Sequence, residues 1–188
     1  MLLPLFPLSV CILPGGFTQL RIFEIRYQRL VKESLHNELG FGVCMLDEDK
    51  QTLLPIGTRC KIIDFETLED GLLGITISGI ERFKLEHFTN EKDGLKRGKV
   101  TILPGWDPIP IANNQQKLTQ VLRELMTHYP THLTRYNIEN FNDLAWICQR
   151  WLEILPLPAI DKQHCIAAKD HRLALSMLDD LLQESDLN

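Results

Sequence analysis

The chain has 188 residues, 44% of them hydrophobic and 24% charged, which is enough for a sizeable core in one large domain or two small ones. A net charge of -5 excludes whole-surface attraction to nucleic acid or anionic membrane and leaves only a local basic patch to consider. The 5 cysteines form an odd set without a C-x-x-C pair, so reduced, buried thiols are expected rather than a disulfide framework.

The first sixteen residues carry no charged side chain and imitate a secretory signal, with Leu8-Ser9-Val10-Cys11 resembling a lipoprotein cleavage box. No basic residue precedes Arg21, and Pro4, Pro7 and Pro14 interrupt any apolar helix, so the segment reads as a proline-bounded edge strand. No run approaches the ~20 apolar residues needed to span a bilayer. Pro14-Gly15-Gly16 breaks the chain before a second strand. A helix is expected over residues 25–36, with Tyr27, Leu30, Val31 and Leu35 as its apolar stripe.

Residues 40–46 suit a buried strand, and 58–68 alternate in part. Asp70-Gly71 and Asp93-Gly94 are hairpin signals. Between them Leu73, Ile75 and Ile77 face one way, and Phe83, Leu85 and Phe88 continue the β pattern before a return strand over 99–103. Several close strands with one early helix predict a small closed or half-closed barrel.

Three prolines within 104–110 end the β pattern, and the break between domains is expected within 104–112. Beyond it the period is helical. Leu118, Val121, Leu122, Leu125 and Met126 form one stripe. Leu144, Ile147, Cys148, Trp151, Leu152 and Leu155 form another, with Asn140 as its expected N-cap. A third helix follows Pro156 and Pro158, with Ile160, Cys165 and Ile166 apolar. Asp170 caps a fourth carrying Leu173, Met177, Leu178, Leu181 and Leu182. One-sided stripes need one another, which predicts a helical bundle. Trp151 is expected in its core, and Trp146, off the main stripe, is expected to dock the bundle on the barrel.

The order of short motifs resembles the N-terminal substrate-binding domain of Lon-type ATP-dependent proteases. Pro4-Leu5-Phe6-Pro7-Leu8 and Leu13-Pro14-Gly15 match its opening, and Ile22-Phe23-Glu24 with Arg26-Tyr27 matches I-F-E-x-R-Y. Phe41-Gly42-Val43, Ile56-Gly57-Thr58, Leu68-Glu69-Asp70-Gly71 and Gly79-Ile80-Glu81-Arg82-Phe83 follow in the family's order, with Leu155-Pro156 and Lys162-Gln163 in its helical segment. The resemblance covers essentially the whole chain. It implies an α+β fold: an N-terminal PUA-like β-barrel with a capping helix over 1–108, then a C-terminal α-helical bundle over 109–188. It implies a stand-alone, cytoplasmic, bacterial homologue that binds unfolded or partly unfolded polypeptides, with a protease or chaperone as partner and no membrane association.

No chemistry of its own is expected. There is no G-x-x-x-x-G-K-[ST], since Gly94-Leu95-Lys96-Arg97-Gly98-Lys99-Val100 is one residue short and leads into a strand. No Ser-Lys peptidase module follows, no serine sits in a nucleophile motif, and no catalytic residue or cofactor is assigned. His128 and His132 have i, i+4 spacing but Pro130 between them, and His164-Cys165 with His171 lacks a four-ligand set, so no metal is expected. The expected peptide-binding residues are Phe23, Glu24, Arg26, Tyr27, Arg82 and Trp106. Glu24, Arg26 and Arg82 are read either as a polar rim or as internal pairs fixing the helix, the latter favoured because buried charges must be paired. Lys92, Lys96, Arg97 and Lys99 keep open an alternative in which the barrel binds RNA.

Overall fold

The computed structural model describes residues 1–129 and 134–185. The fold is mixed α+β. It divides into two compact units: residues 1–105 with 157–167, and residues 106–156 with 168–188. The sequence expectation drew one boundary near residue 108, whereas the first unit also takes a short stretch from the far side of the second.

The first unit contains strands β1 (Leu2–Leu8), β2 (Phe17–Ile22), β3 (Phe41–Leu46), β4 (Leu53–Thr67), β5 (Leu73–Asn90) and β6 (Lys96–Ile102), with helix α1 (Ile25–Asn37) between β2 and β3. The pairings run in a closed circuit: β1 with β3 in parallel, then β3–β4, β4–β5, β5–β6 and β6–β1 antiparallel. β2 lies outside the circuit against the first half of β5. Gly71 and Gly94 take positive φ in the two hairpin turns the sequence signals.

β1 is not the edge strand that its prolines predict. It pairs with β6 over residues 2–5 and with β3 over residues 5–8. Met1 exchanges both backbone hydrogen bonds with Val100, so odd-numbered residues direct their backbone groups at β6. Pro4 therefore faces the β3 side before that pairing begins, and Pro7 faces the β6 side after that pairing has ended. Neither missing N–H falls on an occupied ladder position.

One cluster inside the circuit takes a side chain from each of its strands: Leu3 and Leu5, Cys44, Leu53, Phe83 and Val100. Phe83 needs glycines around it. A Cβ on Gly42 would come within 2.8 Å of the Phe83 ring, and one on Gly57 within 2.5 Å. The F-G-V, I-G-T and R-F motifs are thus one packing device. A second cluster joins Tyr27, Leu30 and Val31 of α1 to Phe6, Ile22, Phe41, Val43, Cys60, Ile75 and Ile77. Leu35, expected in the α1 stripe, is exposed, and Ser34 takes the buried place by donating its hydroxyl to the Leu30 carbonyl at 2.8 Å.

Helix α4 (Ala159–Ala167) belongs to this unit through Gln163. Its side-chain amide donates to the Ile56 carbonyl and accepts from the Ile56 N–H, both at 2.8 Å, pairing with β4 as another strand would.

The second unit holds α2 (Gln116–Thr127), α3 (Leu144–Ile154) and α5 (Arg172–Ser185), with single 3₁₀ turns at Asn113–Gln115 and Ile138–Asn142. Leu118, Leu122 and Met126 face inward from α2, and Leu144, Ile147, Trp151 and Leu152 from α3. The Trp151 indole N–H donates to the Leu118 carbonyl at 3.2 Å, tying these helices together. The N-cap of α3 is Asp143 rather than Asn140, because residues 138–142 turn as 3₁₀ and the Asp143 carboxylate accepts from the Ala145 N–H. Asp170 accepts from the Arg172 N–H at the start of α5, as its sequence position predicts. The ring partners of Trp146 are Tyr136 and Phe141, each at 5.0 Å, with the Arg150 guanidinium 5.1 Å away, all within this unit. Arg150 is itself fully buried and paired with Glu153.

All five cysteines are buried thiols outside any disulfide, as the sequence leads one to expect. Burial pushes the Cys44 thiol up to about 12 and also raises Cys165, with Asp161 adding to the effect. Near pH 8 a thiol reagent should therefore label native protein slowly and incompletely, reaching five equivalents only after denaturation. Rapid native labelling at all five would contradict the burial.

Candidate functional site

The corner where β2 passes into α1 gathers four of the six expected site residues. The strand alternation places Ile22 inward and Phe23 outward, and the helix then buries Tyr27, Leu30 and Val31. Phe23 and Ile25 fall outside both patterns and are 64% and 80% exposed. Glu24 stands at the helix N-cap, and its carboxylate lies 2.7 Å from Arg26. Arg26 also donates to the Gly94 carbonyl at 3.2 Å and lies 4.8 Å from the centroid of the Tyr27 ring. Tyr27 stacks on Phe6 with centroids 4.0 Å apart, and burial raises its hydroxyl above the ordinary range. The polar members and Tyr27 therefore brace the corner, while the apolar pair is presented to solvent.

Register fixes where the corner sits in the sheet. Ile22 pairs with Leu73, which pairs with Thr67, so the corner sits at the hairpin end of the β2–β5–β4 ribbon, and Arg21 forms an ion pair with Asp70 of that turn. Two rows on, Leu20, Ile75 and Phe65 line up on the Ile22 side of the ribbon, the face opposite Phe23, and Phe65 at the row's end is 46% exposed. Sequence reasoning missed Ile25. Ile25 was detectable, since it lies two residues ahead of Tyr27, where the buried helical stripe begins.

Arg82 and Trp106 are placed elsewhere. Arg82 is 3% exposed and donates to the Pro104 carbonyl at 2.6 Å and to the Ile166 carbonyl. Burial pushes its guanidinium below the ordinary range. Trp106 belongs to the second unit, where its buried indole donates to the Ala168 carbonyl at 3.0 Å.

Arg97 of the basic hairpin sits in a network of ion pairs. Arg97 contacts Glu91 at 2.5 Å and Glu33 at 2.8 Å, and Arg29 pairs with Glu91, with Asp93 at 3.2 Å and with Glu33 at 3.4 Å. Hydrogen bonding to Arg97 holds Glu91 below the usual carboxylate range. Of the hairpin's four basic residues Arg97 is thus offset by carboxylates, and Lys96 donates to the Asn90 side chain at 3.0 Å. Among the described residues no group of three or more His, Cys, Asp or Glu is arranged to hold a metal ion, and His132 lies outside the described residues. Among them too, no helix is long and apolar enough to cross a membrane.

A family model described as the ATP-dependent protease La (LON) substrate-binding domain matches residues 2–184. The chain belongs to the LON substrate-binding domain family. The crystal structure of a Lon N-terminal domain protein from Xanthomonas campestris is similar, with 28% identity and a TM-score of 0.76, covering 95% of this chain and 96% of that one. The N-terminal domain of the Mycobacterium avium complex Lon protease shares the fold at 13% identity and a TM-score of 0.68, covering 96% of this chain and 97% of that one. No curated protein matches. As a LON substrate-binding domain the chain is a substrate-recognition module, and polypeptide substrates are the ligands its family indicates.

Proposed function

We propose that this LON-family chain is a non-enzymatic, cytoplasmic module that holds exposed segments of unfolded or partly unfolded polypeptides and presents them to a protease or chaperone. The observation that carries the reading is the outward apolar pair Phe23 and Ile25, fixed on a braced corner. Solvent-facing apolar side chains on a rigid support suit apolar side chains of a client, and the Glu24–Arg26 pair supplies a polar border. The closed circuit of strand pairs supports reading the first unit as the family's PUA-like barrel, and the tied helices of the second support a bundle.

Fluorescence anisotropy with a reduced, carboxymethylated globular protein as client tests the reading against the same protein folded. Binding is expected for the unfolded form alone. Replacing Phe23 and Ile25 together by serine should weaken it at least tenfold with the fold unchanged, since an interface anchor is worth about 2 kcal/mol or more. Equal binding of folded and unfolded client, or an unaffected double variant, would overturn it. Turnover of ATP or casein surviving rigorous purification would overturn the non-enzymatic part.

A further inference from the structure

The second unit contains a groove that the recognition corner does not use. Its volume is about 550 Å³, within the ~300–1,000 Å³ usual for ligand sites. One wall is a single face of α2, where Gln116, Thr119, Gln120 and Arg123 recur at helical spacing. The other wall is Pro110 and Ile111 with Phe141 and Asn142.

That second wall is built in advance. Pro110 and Asp143 form an antiparallel bridge, and the Leu144 N–H donates to the Ile109 carbonyl at 2.8 Å. The Asp143 carboxylate accepts from the Ile109 and Ala145 N–H groups, both at 3.0 Å. The Arg123 guanidinium lies 4.5 Å from the centroid of the buried Phe141 ring and makes no ion pair among the described residues. The Thr119 hydroxyl is buried without a hydrogen-bond partner among them. Glu124, the remaining charge in the groove, is engaged by the Gln120 amide at 2.9 Å.

We propose that this groove binds a carboxylate carried by an extended polypeptide segment. The Arg123 guanidinium takes the carboxylate in its planar fork, held in place by the ring beneath it. The side-chain amides of Gln116, Gln120 and Asn142 offer the donors and acceptors that peptide groups need. Pro110, Ile111 and Phe141 receive the adjoining apolar side chain. A single arginine beside Glu124 suits a singly charged carboxylate better than a phosphate. The inference rests on the reading of the chain as a polypeptide-recognition module and adds a charge-selective second site to it.

The test uses a short, labelled, unstructured peptide in three forms: a free C-terminal carboxylate, an amidated C-terminus, and an amidated C-terminus preceded by aspartate. At least one carboxylate form is expected to bind tenfold or more tightly than the neutral form, and the two carboxylate arms distinguish chain end from side chain. Arg123→Gln should abolish that ratio at an unchanged melting temperature. The Phe23 and Ile25 serine variant should keep the ratio, so failure of the groove and failure of the corner read out separately. If Arg123→Gln does not fold, Gln120→Ala replaces it, with weaker binding of the carboxylate forms expected. Equal binding of the three forms, or a ratio that survives substitution in the groove, overturns the proposal.

Discussion

Phe83→Ala is expected to lower the unfolding free energy by about 3–5 kcal/mol, the range for removing a fully buried aromatic ring. The site cannot collapse easily, because the ring is seated against Gly42 and Gly57, whose backbones supply no side-chain atoms to fill the space. Urea unfolding followed by circular dichroism measures the loss. A change below about 1 kcal/mol would mean that the ring is not the centre of the circuit's interior. The reciprocal change, Gly57→Ala, should also destabilise, since its Cβ would meet both the ring and the Val43 carbonyl, the latter at 2.6 Å.

Gln163→Leu is expected to cost about 2–5 kcal/mol. The substitution keeps the size of the side chain but strips both partners from the buried Ile56 backbone, and each buried polar group left unpaired costs roughly 1–3 kcal/mol. Gln163→Glu should recover part of the loss at low pH, where a protonated carboxyl can both donate and accept, and less at neutral pH. Hydrogen exchange at the Ile56 amide gives a local readout. Unchanged protection there in Gln163→Leu would show that water substitutes for the amide.

Much of the first unit was written in local sequence. Asp70-Gly71 and Asp93-Gly94 marked real turns, Ile75 and Ile77 kept their alternation, and α1 begins at the residue its stripe indicated. What escaped was non-local. The prolines of β1 read as edge signals because local rules treat every strand position alike, whereas this strand changes partner halfway along. Helix α4 carries an apolar pattern like its neighbours, and nothing in that pattern distinguishes packing on a sheet from packing on helices. Its Gln163 pairs with a residue over a hundred positions earlier. The candidate site divided in the same way. Glu24, Arg26 and Tyr27 were singled out through their motif and meet at one corner, but which side chains remain outside depended on the switch from strand to helix. Arg82 drew notice as a charge inside a motif and Trp106 as an aromatic in the proline-rich segment, and both are buried against backbone carbonyls.

The division of the first unit has a consequence for the order in which the protein can be made. A ribosome releases β6, closes the strand circuit, and must then produce residues 106–156 before Gln163 reaches Ile56. Until that moment the N–H and carbonyl of Ile56 lack the side-chain amide that satisfies them in the finished fold. Translation speed through the intervening helices thus sets how long the sheet waits for its final partner.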